Sequence, residues 1–435
     1  MSSIKQSMVS ISVLIPPLAI ILIIVPLTIL IYGYCIYPLI LLVVSSIKSP
    51  GLKKVKATTK AMPTITVIFT FAFEETDMLM ERVKNIFETD YTSKLIQVVG
   101  VGDGPETQLQ VQELNVNIGN HTNNQNIQFI ATDKKRGKTT AQNKAVKIAT
   151  GKILIFTDAN SKFNKHTLTE IVTPLVNNIA NENITEPKDE INSPSHRTGI
   201  TVGNLTYTEK GTEKNYWKLE NKLKTLESSV YSTIGANGAL YGMRKKDYIH
   251  LPEHSISDIV QPLLQLLLNN KISSFIQSAK VYETTPQGYY STYFRKRRIT
   301  ARALKSLPIV FPLLNPLSKI KYSNHYLLSF FFISHKVIRW ATSMLLIVIL
   351  SGIFLGIYCF TPTPLTFFLY AITLLFIAII SMHIVIKNNI ISPLLSTICH
   401  IYLTFLAQLW AYNAILCDIN TNTWESADSM KFPKR

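Results

Sequence analysis

An α/β domain with a doubly wound sheet, flanked by transmembrane helices, is the fold class the sequence predicts, on three observations. Between residues 65 and 157 short apolar runs alternate with polar helical patterns, the order of strands and crossover helices in a parallel sheet. On either side, from 8 to 47 and from 341 to 416, lie stretches with almost no charge, too many and too long to be buried globular helices. Apolar residues make up 47% of the 435-residue chain and charged ones 16%, which suits a protein that lives partly in lipid.

The chain opens with an uncharged stretch from 8 to 47. It is far longer than a signal-peptide core and has no small-x-small cleavage site, so residues 1–47 read as an anchor. Breaks are expected near Pro16-Pro17 or Pro38. Lys48, Lys53, Lys54, Lys56 and Lys60 follow at once, and the positive-inside rule puts the next region, 48–292, in the cytoplasm. There Ile65 to Phe71, Leu95 to Val101, Gln128 to Ala131 and Lys152 to Thr157 read as strands, with helices at about Asp77 to Glu88 and Thr139 to Ala149. The Asn/Gln-rich piece Gln110 to Asn126 and the polar run Asn177 to Arg197 read as surface loops. A second half begins at Gly199, with a polar helix around Asn215 to Ser229, the stretch Gly235 to Arg244, and Ser257-Asp258 before an apolar helix.

Residues 293–340 form a basic, amphipathic interfacial segment. Arg295, Lys296, Arg297, Arg298 and Arg302 stand there among aromatic and apolar neighbours. Three spans are expected over 341–360, 364–386 and 390–416, followed by a tail from 417 to 435. About four spans are few for a channel, and association into a homo-oligomer is one way to complete it. The formal charge of +17 suits nucleic acid, a membrane surface or phosphate-bearing substrates. No finger, ribonucleoprotein or helix-turn-helix signature favours nucleic acid. Cys35, Cys359, Cys399 and Cys417 show no CxxC or Cys/His spacing, which argues against zinc and disulfides.

Chemistry concentrates where the strand from Lys152 ends in Asp158-Ala-Asn160. Ligands of open α/β sheets sit outside such carboxyl ends, and two hard oxygen donors there suit Mg2+ or Mn2+ that also keeps phosphate ligands. The same residues serve equally as a helix cap, although Asn164 is better placed to cap the helix expected from Lys165. Asp258 stands in a helix's first turn, where an acid is favoured by the dipole without any further role.

The motifs in order resemble the inverting family-two glycosyltransferases, in particular the membrane branch of cellulose, chitin and hyaluronan synthases. They run from Phe69-Thr-Phe-Ala-Phe-Glu-Glu75 through Lys135-Arg-Gly-Lys-Thr-Thr-Ala-Gln-Asn143 and Phe156-Thr-Asp-Ala-Asn160 to Trp424-Glu425. The resemblance implies a GT-A-like doubly wound mixed sheet in the cytoplasm of an integral membrane protein. It also implies transfer of a sugar from a nucleotide-sugar, with a uridine diphosphate carrier expected, to a glycan of the cell envelope. Glu75 and Asp103 then match the nucleotide-contacting acids, and Arg136 and Lys138 the basic pair near the diphosphate. Asp158 and Asn160 match the metal motif, Asp258 the base, and Gly238 the stretch lining the acceptor pocket. Arg295, with Lys296 or Arg298, matches the diphosphate clamp of the Gln-x-x-Arg-Trp motif, here Thr292-Tyr-Phe-Arg295-Lys296. The absent Gln and Trp keep open single-sugar transfer to a polyprenyl phosphate or other lipid acceptor. The departures at Phe71, Gly102, Asn160, Ser257 and Thr292 keep open a non-catalytic membrane scaffold.

Overall fold

The computed structural model describes residues 2–48, 62–72, 74–121, 126–181, 198–208, 212–253, 255–284, 289–314, 325–360, 369–370, 372–373, 377, 393–417 and 419. These fall into two compact units: residues 1–40, 287–301 and 331–417, and residues 41–286, 302–330 and 418–435. The chain enters through α1, Ser2–Ile31, and continues through a π-helical turn, Tyr32–Ile36, into α2, Tyr37–Lys48. Pro16, Pro17 and Pro26 lie inside α1. Pro16–Ile47 is long and apolar enough to cross a membrane, and its outward side chains include Ile20, Leu39 and Val43.

The second unit is built on an eight-stranded sheet, ordered β3-β2-β1-β4-β7-β6-β8-β5. Its first half is β1 (Ile65–Phe71), α3 (Thr76–Phe87), β2 (Ile96–Gly102), α4 (Gln108–His121), β3 (Ile127–Ala131), α5 (Lys138–Ile148) and β4 (Ile153–Asp158). Strand β1 runs parallel to both β2 and β4, and β2 parallel to β3. Every residue of β1 is buried, as expected of a strand covered on both faces. Leu79, Val83 and Ile86 of α3, with Val111, Leu114 and Ile118 of α4, cover one face, against Phe69, Phe71 and Phe129. Ala141, Ala145 and Val146 of α5 cover the other, against Ile68, Val99 and Phe156.

The second half is β5 (Lys162–Phe163), α6 (Thr167–Asn181), β6 (Thr198–Tyr207), α7 (Thr212–Val230), β7 (Leu240–Arg244), α8 (Ser257–Asn269) and β8 (Ile272–Glu283). Strand β7 is antiparallel to β4 and β6, while β8 is parallel to β6 and antiparallel to β5. The reversal at β7 has a functional consequence: Leu240 pairs with Thr157. The loop leading into β7 therefore arrives at the edge where β4 delivers Asp158.

Helix α9, Tyr289–Leu314, contributes residues to each unit. The helix from Tyr326 to Trp340 and the helix from Thr342 to Tyr358 meet at 61°. The backbone groups at this break are satisfied from the helix Pro393–Leu416. Gln408 donates to Arg339 O and accepts from Ser343 N–H at 2.8 and 2.9 Å, and the Tyr412 hydroxyl donates to Trp340 O. A second π-helical turn, Ile333–Val337, packs near the first, with Tyr32 Oη and Ser334 Oγ 2.7 Å apart. Gly33 permits this approach, because a Cβ there would stand 2.7 Å from Ile338.

Several expectations are corrected. The piece from Gln110 is helical, not a loop: Val111, Leu114 and Ile118 are buried at helical spacing under Asn/Gln-rich composition. The Asn115 amide also pairs with both backbone groups of Phe129 at 2.9 and 3.0 Å. Residues 177–181 extend α6, and the rest of that polar run lies outside the described residues. Helix α6 starts at Thr167 rather than Lys165; Asn164 offers its backbone carbonyl to Thr167 N–H at 3.1 Å instead of a side-chain cap. The mixed half of the sheet, β5 to β8, includes strands that no apolar alternation announced. The span expected at 364–386 lies almost wholly outside the described residues, as do Lys53 to Lys60 and the tail from 420. Among the described residues, one helix passes as a span, or two if the bent pair counts as one.

Candidate active site

The carboxyl ends of β1, β2 and β4 lie side by side, with Thr70 opposite Asp158 and Phe71 opposite Gly102. Three of the acids singled out from sequence stand at or just beyond these ends, in different roles. Asp158 closes β4 and is partly exposed, and its Oδ1 is gripped by the Lys138 ammonium from the first turn of α5. Lys138 reaches there because Gly137, at φ 90°, turns the chain into the helix through a backbone region that L side chains rarely adopt. Gly238 closes over the pair: Lys138 Nζ is 3.4 Å from its carbonyl, and a Cβ at 238 would meet Nζ at 2.9 Å and Asp158 Oδ2 at 3.2 Å. Gly238 thus faces the Lys138–Asp158 pair.

Asn160 is exposed in the turn after Asp158, which is closed by Ser161 N–H on Asp158 O at 3.3 Å. Behind this turn sit two buried charges of opposite sign, neither of them apparent from sequence. Arg82 donates to Thr157 Oγ1 at 2.9 Å and to Asn85, and stacks on the Phe163 ring at 3.9 Å. Burial pulls its pKa down to about 9, opposed by the charges of Asp158 and Glu283. Glu283 accepts from Ser161 Oγ at 2.6 Å. In the linear pattern Arg82 looks like surface charge; the missed signal is its place beside Leu79, Val83 and Ile86 on the buried face of α3.

Asp103, expected at the nucleotide, also anchors a loop. None of its surface is exposed, Oδ1 accepts Arg136 N–H at 3.0 Å, and Oδ2 accepts Gly137 N–H at 2.9 Å. Burial raises its pKa, against the two amide bonds that lower it. The carboxylate thereby shapes the loop that launches Lys138. The Arg136 side chain reaches Glu253 at 3.6 Å, both partly exposed. Glu75 caps α3 through its backbone, which accepts Leu79 N–H at 3.1 Å, and leaves its carboxylate exposed at the sheet edge.

Asp258 stands in the first turn of α8, half-buried. Its backbone carbonyl accepts Ala236 N–H at 2.7 Å, which ties the start of α8 to the Gly235–Gly238 loop and so to Asp158. Beside it stands Arg302, which the linear pattern presents as membrane-surface charge. Arg302 donates to Ser255 O at 2.7 Å and to Thr139 Oγ1 at 3.1 Å. Burial lowers its pKa, while Asp258 and Asp103 hold it up, so its charge faces the same acids as the site. The small buried neighbours Ala301 and Ala303 are the signal that this helix face packs inward. Arg295, Lys296 and Arg298 belong to the other unit, on the first half of α9.

Asp158 and Asn160 offer one carboxylate and one amide oxygen, and no group of three or more His, Cys, Asp or Glu that could hold a metal occurs among the described residues. With the Asp158 charge already met by Lys138, this donor set fits a divalent ion that completes its shell with phosphate oxygens, as such ions do, rather than one caged by protein alone.

Residues 67–235 match the family model described as glycosyl transferase family 2. With the mixed sheet around Asp158, this defines the segment as a glycosyltransferase family 2 domain of GT-A-like fold. Among solved structures, the chain is similar to the mannosyltransferase PcManGT from Pyrobaculum calidifontis in complex with GDP-Man and Mn2+. The two are 16% identical, with 94% of this chain and 100% of that chain covered and a TM-score of 0.58, a likeness of fold. Weaker likenesses, both 14% identical with TM-scores of 0.38, are to GalNAc-T7 with UDP, GalNAc and Mn2+ (56% and 49% covered) and to S. aureus TarS (68% and 54% covered). No curated protein matches the chain.

Proposed function

We propose that the protein is an inverting glycosyltransferase that moves a sugar from a nucleotide-sugar to an envelope glycan at the cytoplasmic face of a membrane. The observation that carries this reading is the convergence of Asp158, Lys138 and the start of α8 at one sheet edge, tied by the Gly235–Gly238 loop. Asp158 and Lys138 together suit the donor's diphosphate, one as an oxygen donor toward a metal and the other as a direct cation. Bound Mg2+ or Mn2+, held by Asp158 and Asn160, would neutralise charge on the departing nucleoside diphosphate. Asp258 takes the proton of the acceptor hydroxyl as its oxygen attacks the anomeric carbon from the face opposite the diphosphate. One carbon–oxygen bond forms, the bond to phosphate breaks, and the configuration inverts. Arg302, between Ser255 and Thr139, adds positive charge beside the base. Glu75 lies exposed where the nucleotide base is expected, and Arg295, Lys296 and Arg298 are the clamp that the resemblance suggests. The apolar span Pro16–Ile47 supports a membrane location.

The test is a donor panel, including uridine- and guanosine-diphosphate sugars, on the full chain in lipid nanodiscs with Mn2+ or Mg2+, reading nucleoside diphosphate release and product mass. Release that is lost in Asp258→Asn supports the proposal. An intact protein that turns over no donor overturns it in favour of a scaffold.

A further inference from the structure

The start of α8 carries an irregularity that places Asp258. In a regular helix its carbonyl would accept the N–H of residue 262, four positions on. That residue is Pro262, which has no N–H to give. The freed carbonyl is taken instead by Ala236 N–H at 2.7 Å. The carbonyl of the same residue, in the next peptide group, is also held, because Ala236 O accepts the Lys224 ammonium at 3.2 Å. Lys224 is only 1% exposed, on the buried face of α7 with Glu220 and Glu227, and its Nζ lies 5.2 Å from the centre of the Trp217 ring. Glu227 in turn accepts Ile234 N–H at 3.3 Å, fastening the start of the same loop. With its N–H on Asp258 O and its C=O on Lys224, the backbone of Ala236 is pinned on both sides.

We infer that Lys224 is a positioning residue for Asp258, acting through the backbone of Ala236, whose C=O it holds while the N–H holds the carbonyl that Pro262 leaves free. This rests on Asp258 being the base. The relay fixes the plane of the peptide after Asp258, and with it the direction of the carboxylate. It also holds the Gly235–Gly238 loop over Lys138 and Asp158, so the two halves of the site share one support.

Two substitutions break the relay at opposite ends. Lys224→Met removes the cation and keeps an apolar side chain of similar length. Pro262→Ala restores an N–H that recaptures the Asp258 carbonyl within the helix. Measured on the full chain in nanodiscs, each is expected to lower kcat about 10- to 100-fold, the scale of a slightly misplaced catalytic group, with donor KM near the wild-type value. Hydrogen exchange in the 235–238 segment is expected to quicken in both. The double variant falls no further than the worse single one, because both act through the backbone of one residue, Ala236. Pro262→Ala should raise the thermal midpoint, since a proline inside a helix is costly. More stability with less turnover is the opposite of what a merely structural role gives. If Lys224→Met does not fold, Pro262→Ala carries the test by itself. An active wild type with wild-type kcat in Pro262→Ala overturns the relay and leaves the active-site reading standing. A wild type without turnover overturns that reading and the relay's catalytic role together.

Discussion

Substituting Gly238 by alanine tests how tightly the Lys138–Asp158 pair is enclosed. No unusual backbone angle requires glycine at 238; the demand is for space. The added methyl would lie 2.9 Å from Lys138 Nζ and 3.2 and 3.6 Å from the two Asp158 oxygens. Relaxing these to ordinary contacts near 3.5–4.0 Å moves the ammonium by roughly 0.6–1 Å, which the flexible lysine tolerates only by loosening its hold on Asp158. Both side chains are partly exposed, 15% and 28%, so the loss in stability is about 1 kcal/mol or less and the thermal midpoint drops by less than about 4 °C. Catalysis is affected more, because a 1 Å misplacement costs on the order of 100-fold. The assay is kcat/KM for nucleoside diphosphate release beside a thermal melt. Gly119→Ala is the control: nothing lies within 4 Å of its would-be Cβ, and an alanine in helix α4 stabilises by about 0.5–1 kcal/mol. A Gly238→Ala protein within about twofold of wild-type kcat/KM would refute the crowding argument.

Further outcomes follow from the same geometry. Asp258→Asn should lower kcat about 100- to 10,000-fold with donor affinity retained, as removal of a general base does; equal loss of binding, measured by nucleotide titration, would assign Asp258 to the donor instead. Asn160→Asp adds a second carboxylate, and the Mn2+ concentration for half-maximal rate should fall; an unchanged metal response would show that Asn160 is no ligand. Asp103 predicts a particular pH dependence. Its folded pKa lies above the ordinary 3.8, so the folded state holds the proton longer, and this group's stabilisation is full below that pH and lost as pH rises through the folded value. The thermal-midpoint advantage of wild type over Asp103→Asn should therefore shrink as pH rises from about 4 toward neutral; an advantage that grows with pH would mean the carboxylate is stabilised by its two amide partners more than burial penalises it.

The chain by itself determined the elements whose signal is local. Strands β1 and β4 are legible because a strand covered on both faces is a continuous apolar run, and Asp158 is legible because it ends one of them. Asp258 is visible as an acid opening an apolar helix. Helix α4 was hidden because Asn and Gln fill its outward positions, and only packing shows that Val111, Leu114 and Ile118 face one way. The tertiary structure alone decided the roles of residues whose partners are distant in sequence. Asp103 becomes an anchor because Arg136 and Gly137 bring their amides to it, Arg302 enters the site because α9 turns that face toward Ser255, and the carbonyl freed by Pro262 finds its donor at Ala236. A motif specifies which groups are available. Which of them meet depends on strand order and on the burial that makes every unpaired polar group costly, so that buried groups are driven into partnerships no linear spacing encodes.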